Sequence, residues 1–213
     1  MPDRQRSAGP RWTRKRLVDT LAACYGRTPR GAVRVDAVAE DFEVTPRTVQ
    51  RWMHGQNRQN AHIPERRLAQ LMFGDAQSEV RRLQQAAYAR EAIAQIALPK
   101  QRGILPAWRD RGWLDPHVVA VIAVHARPWR QVVVSNGTAR SLEELRRRGD
   151  ILDITTLPTR FHAVVLANEV MALVQPWRIH PSTTRLTQGR YQVFAHDAPP
   201  VDLSVLAVSH GLR

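Results

Sequence analysis

Cysteine is almost missing from this chain, with Cys24 as the single representative. An internal disulfide framework and a cysteine-rich zinc site are therefore excluded, and a reducing compartment is the expected setting. The neighbours Leu21, Ala22 and Tyr25 favour a small core thiol over a nucleophile. No stretch approaches the ~18 to 20 apolar residues of a membrane span. The basic start, residues 4–16, is followed by no long apolar run, so secretion and membrane insertion are disfavoured and a cytoplasmic location is expected.

Acidic residues are the next shortage, 19 Asp plus Glu against 32 Lys plus Arg. The resulting formal charge of +13 and a pI near 11.4 suit a polyanionic partner, with nucleic acid first in line. Lysine is also scarce: Lys15 and Lys100 are the only two. The remaining cations are arginines, whose planar fork fits phosphates and guanine edges, although a GC-rich genome would give the same bias.

Catalytic and metal signatures are missing too. The eight histidines lack zinc spacings, and His117 with His125 on one strand face is weak evidence for a site. The chain has no Gly-rich phosphate loop and no Gly-x-Ser-x-Gly elbow. Asp150, Asp153, Glu169, Asp197 and Asp202 offer carboxylates for a nuclease or recombinase, but their spacing selects no pair. The expectation is a protein with no catalytic residue, no metal and no cofactor.

What is present is an ordinary globular composition, 43% apolar and 24% charged over 213 residues, enough for one large domain or two small ones. Residues 11–98 carry helical three- and four-residue spacings. Pro99, Gly103 and Pro106 break that pattern and suggest a boundary. Beyond them come β-branched runs at 118–124, 132–134 and 151–155, separated by the turn Ser135-Asn-Gly137. The expected class is α+β, laid out as a basic arm (1–10), a helical domain (11–77), a linking helix and linker (78–106) and a smaller mixed α+β domain (107–213). Within the last, Ser141-Leu-Glu-Glu144 predicts a capping box and Gly149 a helix end. Residues 161–174 suit a helix better than a hairpin, while 191–194 and 203–208 suit strands.

The strongest local signal lies at residues 35–55. Val38, Ala39 and Phe42 share one face of a short helix; Thr45 is a natural N-cap and Pro46 a natural first residue of a second helix. Val49 and Trp52 then point inward with Val44 beneath them, which is the packing of a helix-turn-helix. Glu43 departs from the pattern, standing in the turn where glycine is common. Amphipathic segments at 12–25 and 64–73 supply flanking helices.

With Val49 and Trp52 inward, Arg47, Gln50 and Arg51 face solvent near the end of the helix that enters a major groove. Arginine bonds guanine O6 and N7, glutamine bonds adenine N6 and N7, and Thr45, Pro46 and Thr48 begin the helix where a phosphate sits. Arg11, Arg14, Lys15 and Arg34 are the candidate backbone contacts, with Arg4 and Arg6 in the arm ahead of them. Three or four base-reading side chains, each worth ~1 to 3 kcal/mol, discriminate too little on their own, so a second copy or a second reading domain is required. For the latter, Asn136, Thr138 and Arg140 with Arg146, Arg147 and Arg148 form a candidate DNA-facing patch. A helix over residues 78–98 has the length to space two readers, or Val80, Leu83 and Ala87 could form a dimer seam.

This layout, a basic arm, a helix-turn-helix with Thr45-Pro-Arg-Thr-Val-Gln-Arg-Trp52, a long helix and a basic β-rich half, resembles the immunity repressors of temperate mycobacteriophages that act at many asymmetric stoperator sites. The resemblance implies a monomeric double-stranded DNA-binding repressor that maintains lysogeny inside a bacterial host, associated with the nucleoid, with both domains on DNA. The residues that match are Arg47, Gln50 and Arg51. The alternatives are a dimeric regulator whose second half oligomerises or senses a ligand, and a DNA recombinase or nuclease.

Overall fold

The computed structural model describes residues 12–54, 63–74, 76–99, 102–182 and 185–213, with 76–78 as backbone only. The arm at 1–10 and Arg11 lie outside the described residues.

Four helices come first: α1 (Arg14–Tyr25), α2 (Val35–Asp41), α3 (Pro46–His54) and α4 (Glu65–Phe73). Thr13 starts α1 by accepting the Arg16 N–H at 3.2 Å, which satisfies one of the free donors of the first turn. Leu17, Leu21, Cys24 and Tyr25 bury one side of this helix against Val38, Phe42, Val49 and Trp52.

The long helix α5 (Ala76–Ile96) and short α6 (Pro106–Asp110) lead into a four-stranded antiparallel sheet. Its strands β1 (His117–Val124), β2 (Trp129–Ser135), β3 (Gly149–Leu157) and β4 (Val193–Ala195) lie in the order β3-β1-β2-β4. The protein is therefore α+β. Side chains alternate across a strand, so Val119 and Val121 face α8 (Arg160–Leu173) and α9 (Leu203–Ser209), while Ala120 and Ile122 face α7 (Ala139–Arg148). Burial on both faces explains why β1 is apolar along nearly its whole length.

Three sequence expectations are corrected. The helix before Gly149 begins at Ala139, because the Thr138 hydroxyl caps the Ser141 N–H at 3.3 Å; Ser141 is inside the helix, so no capping box starts there. Residues 203–209 are helical rather than extended. Asp202 caps the Val205 N–H at 2.9 Å, and Leu203 and Ala207, one turn apart, supply the buried face. At 191–194 only the last residues are strand, since Arg190–Gln192 form a 3-10 turn ahead of β4. The helix expected over 161–174 is present as α8.

The long helix does not stand free as a spacer. It lies along α8 with Ala86, Ala89 and Ala92 in the contact, and the last two join the core beneath the sheet. Small residues allow that close approach. Val80 and Leu83 of the alternative seam point outward at about half exposure, and Ala87 is exposed with them.

The first four helices also pack on the sheet, through Trp129, Ile179 and Val193. Backbone bonds add to this contact: His180 N–H donates to Leu71 C=O at 2.9 Å, and Ser182 Oγ donates to Cys24 C=O at 3.1 Å. A buried ion cluster closes the junction. Arg178 forks onto Glu79 at 3.1 and 2.6 Å, Arg82 forks onto the same carboxylate at 3.1 and 2.8 Å, and Arg82 also donates to Asn168.

Candidate nucleic-acid interface

The α2–α3 pair is assembled as the spacing requires. Phe42 and Val49 are fully buried, and the Phe42 and Trp52 rings meet edge to face at 5.7 Å, a favoured aromatic geometry. The turn between them reaches Thr45 by placing Glu43 at φ 51°. This left-handed conformation is strained for a side chain with a Cβ, so the glycine-free turn is made by strain rather than by a different path. Val44 N–H then donates to Ala39 C=O at 2.9 Å.

Thr45 caps α3, its hydroxyl accepting the Thr48 N–H at 3.2 Å. Its first turn carries no acidic residue, so the positive end of the helix dipole stays uncompensated. Pro46, Arg47, Gln50 and Arg51 are exposed along with Thr45, while Thr48 is half-buried and its hydroxyl lies 3.0 Å from that of Thr45. Val49, Trp52 and Met53 occupy the opposite, buried face.

Arg14 adjoins this surface, 3.3 Å from His54 at the end of α3. Lys15 is exposed on α1, and Arg34, also exposed, stands just ahead of α2. Sequence reasoning missed two supports of the motif. The Tyr25 hydroxyl donates to Asp41 at the end of α2, and burial followed by that hydrogen bond raises the phenol pKa. Arg67 of α4 stacks over Phe42 at 6.0 Å. It also missed Arg185, which passes close to Arg34 over Gly26; only net charge hinted at it.

The candidate patch of the second half lies along α7. Asn136 and Thr138 precede the helix and Arg140 is in its first turn; the Asn136 amide oxygen accepts from Thr138 Oγ1 at 3.1 Å and Ser141 Oγ at 2.9 Å. Arg146 and Arg147 lie more than a turn further on, ~10 Å along the axis. There Arg146 C=O lies 3.1 Å from His125 Nε2, at the β1–β2 hairpin that adjoins the first four helices. Both arginines are exposed, each 3.8 to 3.9 Å from Glu143, pairings worth little in water. Arg148 turns inward to Gln131 at 2.5 Å. The five exposed candidates therefore run along α7, with Arg140 and Arg147 two turns apart on one face and Arg148 turned inward.

Of the candidate nuclease acids, Asp153 and Asp202 come near each other at the start of α9, and Glu169 and Asp197 are engaged elsewhere. Asp153 accepts the Leu203 N–H at 2.8 Å on one side of the sheet, Asp202 caps α9, Glu169 pairs with Arg90, and Asp197 lies 3.6 Å from Arg16. Among the described residues no group of three or more His, Cys, Asp or Glu is placed to hold a metal ion, and none of the helices is long and apolar enough to cross a membrane. His117 and His125 bond to separate carbonyls, Asp115 C=O and Arg146 C=O. Comparison with known protein families, curated proteins and solved structures gives no match.

Proposed function

We propose that this protein is a sequence-specific double-stranded DNA-binding transcriptional repressor, of the kind that maintains phage lysogeny from asymmetric operator and stoperator sites. The observation that carries the reading is the α3 face, where Arg47, Gln50 and Arg51 stand exposed together beyond an acid-free helix start. Such a face places guanine- and adenine-reading groups in a major groove while the first turn meets a phosphate.

The second half adds a further DNA contact, and the monomer reads one asymmetric site. Of its candidate residues, Arg146 and Arg147 are favoured, since they end at the hairpin beside the first four helices. The ion cluster at Glu79 and the apolar packing at Trp129 keep both contacts at a fixed spacing. A dimer reading a palindrome is the second reading. It is favoured by edge strand β3, which leaves Leu152 and Ile154 exposed, and by exposed Val205 and Val208 on α9.

Gln50→Ala and Arg51→Ala are each expected to weaken binding to the preferred site by ~1 to 3 kcal/mol and to relax its base preference. Arg14→Ala is expected to weaken all sequences alike and to lower the salt dependence. Titration of matched and single-base-changed duplexes at fixed salt checks both. Uniform loss from all three variants would contradict the division between base reading and backbone contact.

A further inference from the structure

Between α1 and β4 lies a cleft of about 830 Å³, on the side of α1 that faces away from α3. Its volume is that of a small-molecule site. The floor is apolar, built from Ala22 and Ala23 on one side and Pro128, Ile179 and Ala195 on the other. The rim carries Lys15, Arg16 and Arg27 from the helical side and Arg185 and His196 from the sheet side.

Two carboxylates line the same cleft, Asp19 and Asp197, and both are engaged. Asp19 lies 3.4 Å from Arg27, and Asp197 lies 3.6 Å from Arg16. Among the described residues no carboxylate comes within ion-pair distance of Lys15 or Arg185. The Nε atoms of Arg16 and Arg185 are buried without a hydrogen-bond partner, a costly state for a guanidinium. Burial lowers the pKa of both, and for Arg185 the neighbouring Arg127 and Arg34 lower it further. Arg16 already holds Asp197 and donates to Pro176 C=O, and Arg27 holds Asp19, so among the described residues Arg185 is the guanidinium of the cleft left without a carboxylate.

We propose that the cleft binds a small amphipathic anion, with an apolar body on Ala22, Ala23 and Ile179 and a carboxylate or phosphate against Arg185, at the Arg27 end of α1. A DNA strand offers the same phosphate chemistry, but a duplex presents it on a convex surface and leaves the apolar floor unfilled. Because α1 forms one wall and the sheet side the other, a bound anion links the helices that hold α3 to the second half. It is positioned to act as a regulatory ligand.

The test uses the full chain without DNA, so its outcome does not depend on the repressor reading. The probe is 8-anilinonaphthalene-1-sulfonate, a fluorescent apolar body with one sulfonate. One saturable site is expected, weakened about tenfold or more by Arg185→Gln and by Arg27→Gln. Arg27 is exposed, so its variant should fold as the parent does, with an unchanged melting temperature as the check. Phenyl phosphate should displace the probe at least about tenfold better than inorganic phosphate. The absence of a saturable site, or binding unchanged in both variants, overturns the proposal. Equal displacement by the two phosphates overturns the amphipathic ligand, and displacement by a random duplex but not by phenyl phosphate assigns the rim to DNA.

Discussion

Trp52→Ala is expected to cost about 3 to 5 kcal/mol of stability and to remove specific DNA binding at temperatures where the parent still binds. Trp52 is 3% exposed, meets Phe42 edge to face at 5.7 Å, and stands one turn from buried Val49. No other aromatic residue of α3 holds it against α2. A cavity in so small a core has few neighbours able to collapse into it, and domain stabilities of about 5 to 15 kcal/mol leave little reserve. Arg51→Ala, one residue away on the exposed face, should leave the denaturation midpoint within experimental error. Urea denaturation of both variants checks the contrast. Equal midpoints for Trp52→Ala and the parent would show that α3 is held by something other than this aromatic contact.

Glu79→Ala should be comparably damaging, by about 3 to 5 kcal/mol, because it strands buried cations. Arg178 is 2% exposed and Arg82 9%, and Glu79 is the carboxylate onto which both fork. The same pair joins α5 to the segment after α8, and Arg178 also stacks over Phe73 of α4 at 4.6 Å. Loss of Glu79 therefore loosens the junction as well as the cluster. The double variant Glu79→Ala with Arg178→Met should recover part of the loss, since it removes one stranded charge. No recovery would mean that the cluster's worth lies elsewhere.

The cluster also sets an acid limit. Burial alone would raise the Glu79 pKa, but hydrogen bonds from Arg82 and Arg178, reinforced by their charges, bring it from 4.5 down to about 2. The folded value is lower than the unfolded one, so the contribution is complete above about pH 4.5 and is lost as pH falls toward 2. Because the Glu79 carboxylate is partly exposed and screened, its size is on the order of 1 to 2 kcal/mol. In Glu79→Ala that part of the acid-induced loss should disappear, which denaturant melts between pH 5 and pH 2 would show.

The α2–α3 pair was legible because its determinants are local: a capping threonine, a proline at the first helical position, and apolar residues three and four apart. The α+β class followed from β-branched runs at β1, β2 and β3. Residues 203–208 misled because Leu203, Val205 and Val208 fit a strand by propensity, yet the Asp202 cap and burial of Leu203 and Ala207 favour a helix. The buried row of α5 was hidden for a related reason. Alanines carry weak hydrophobic signal, so the buried row Ala86, Ala89 and Ala92 was outweighed by Val80 and Leu83. Contacts far apart in sequence left no pattern to read. Arg178 and Glu79 are 99 positions apart, and Arg16 meets Asp197 only because α1 packs beside β4. The candidate residues around α7 run along that helix, and the inward turn of Arg148 to Gln131 is the part that its place in the sequence did not show.

Selection of binding sites from random duplex DNA by the full-length protein, at a stated near-physiological salt, tests the repressor reading most directly. The predicted result is one enriched asymmetric site, longer than a single recognition helix can read, bound by a monomer. An enriched palindrome would contradict the two-contact monomer and assign the second half to dimerisation, and no enriched site would contradict sequence-specific regulation itself.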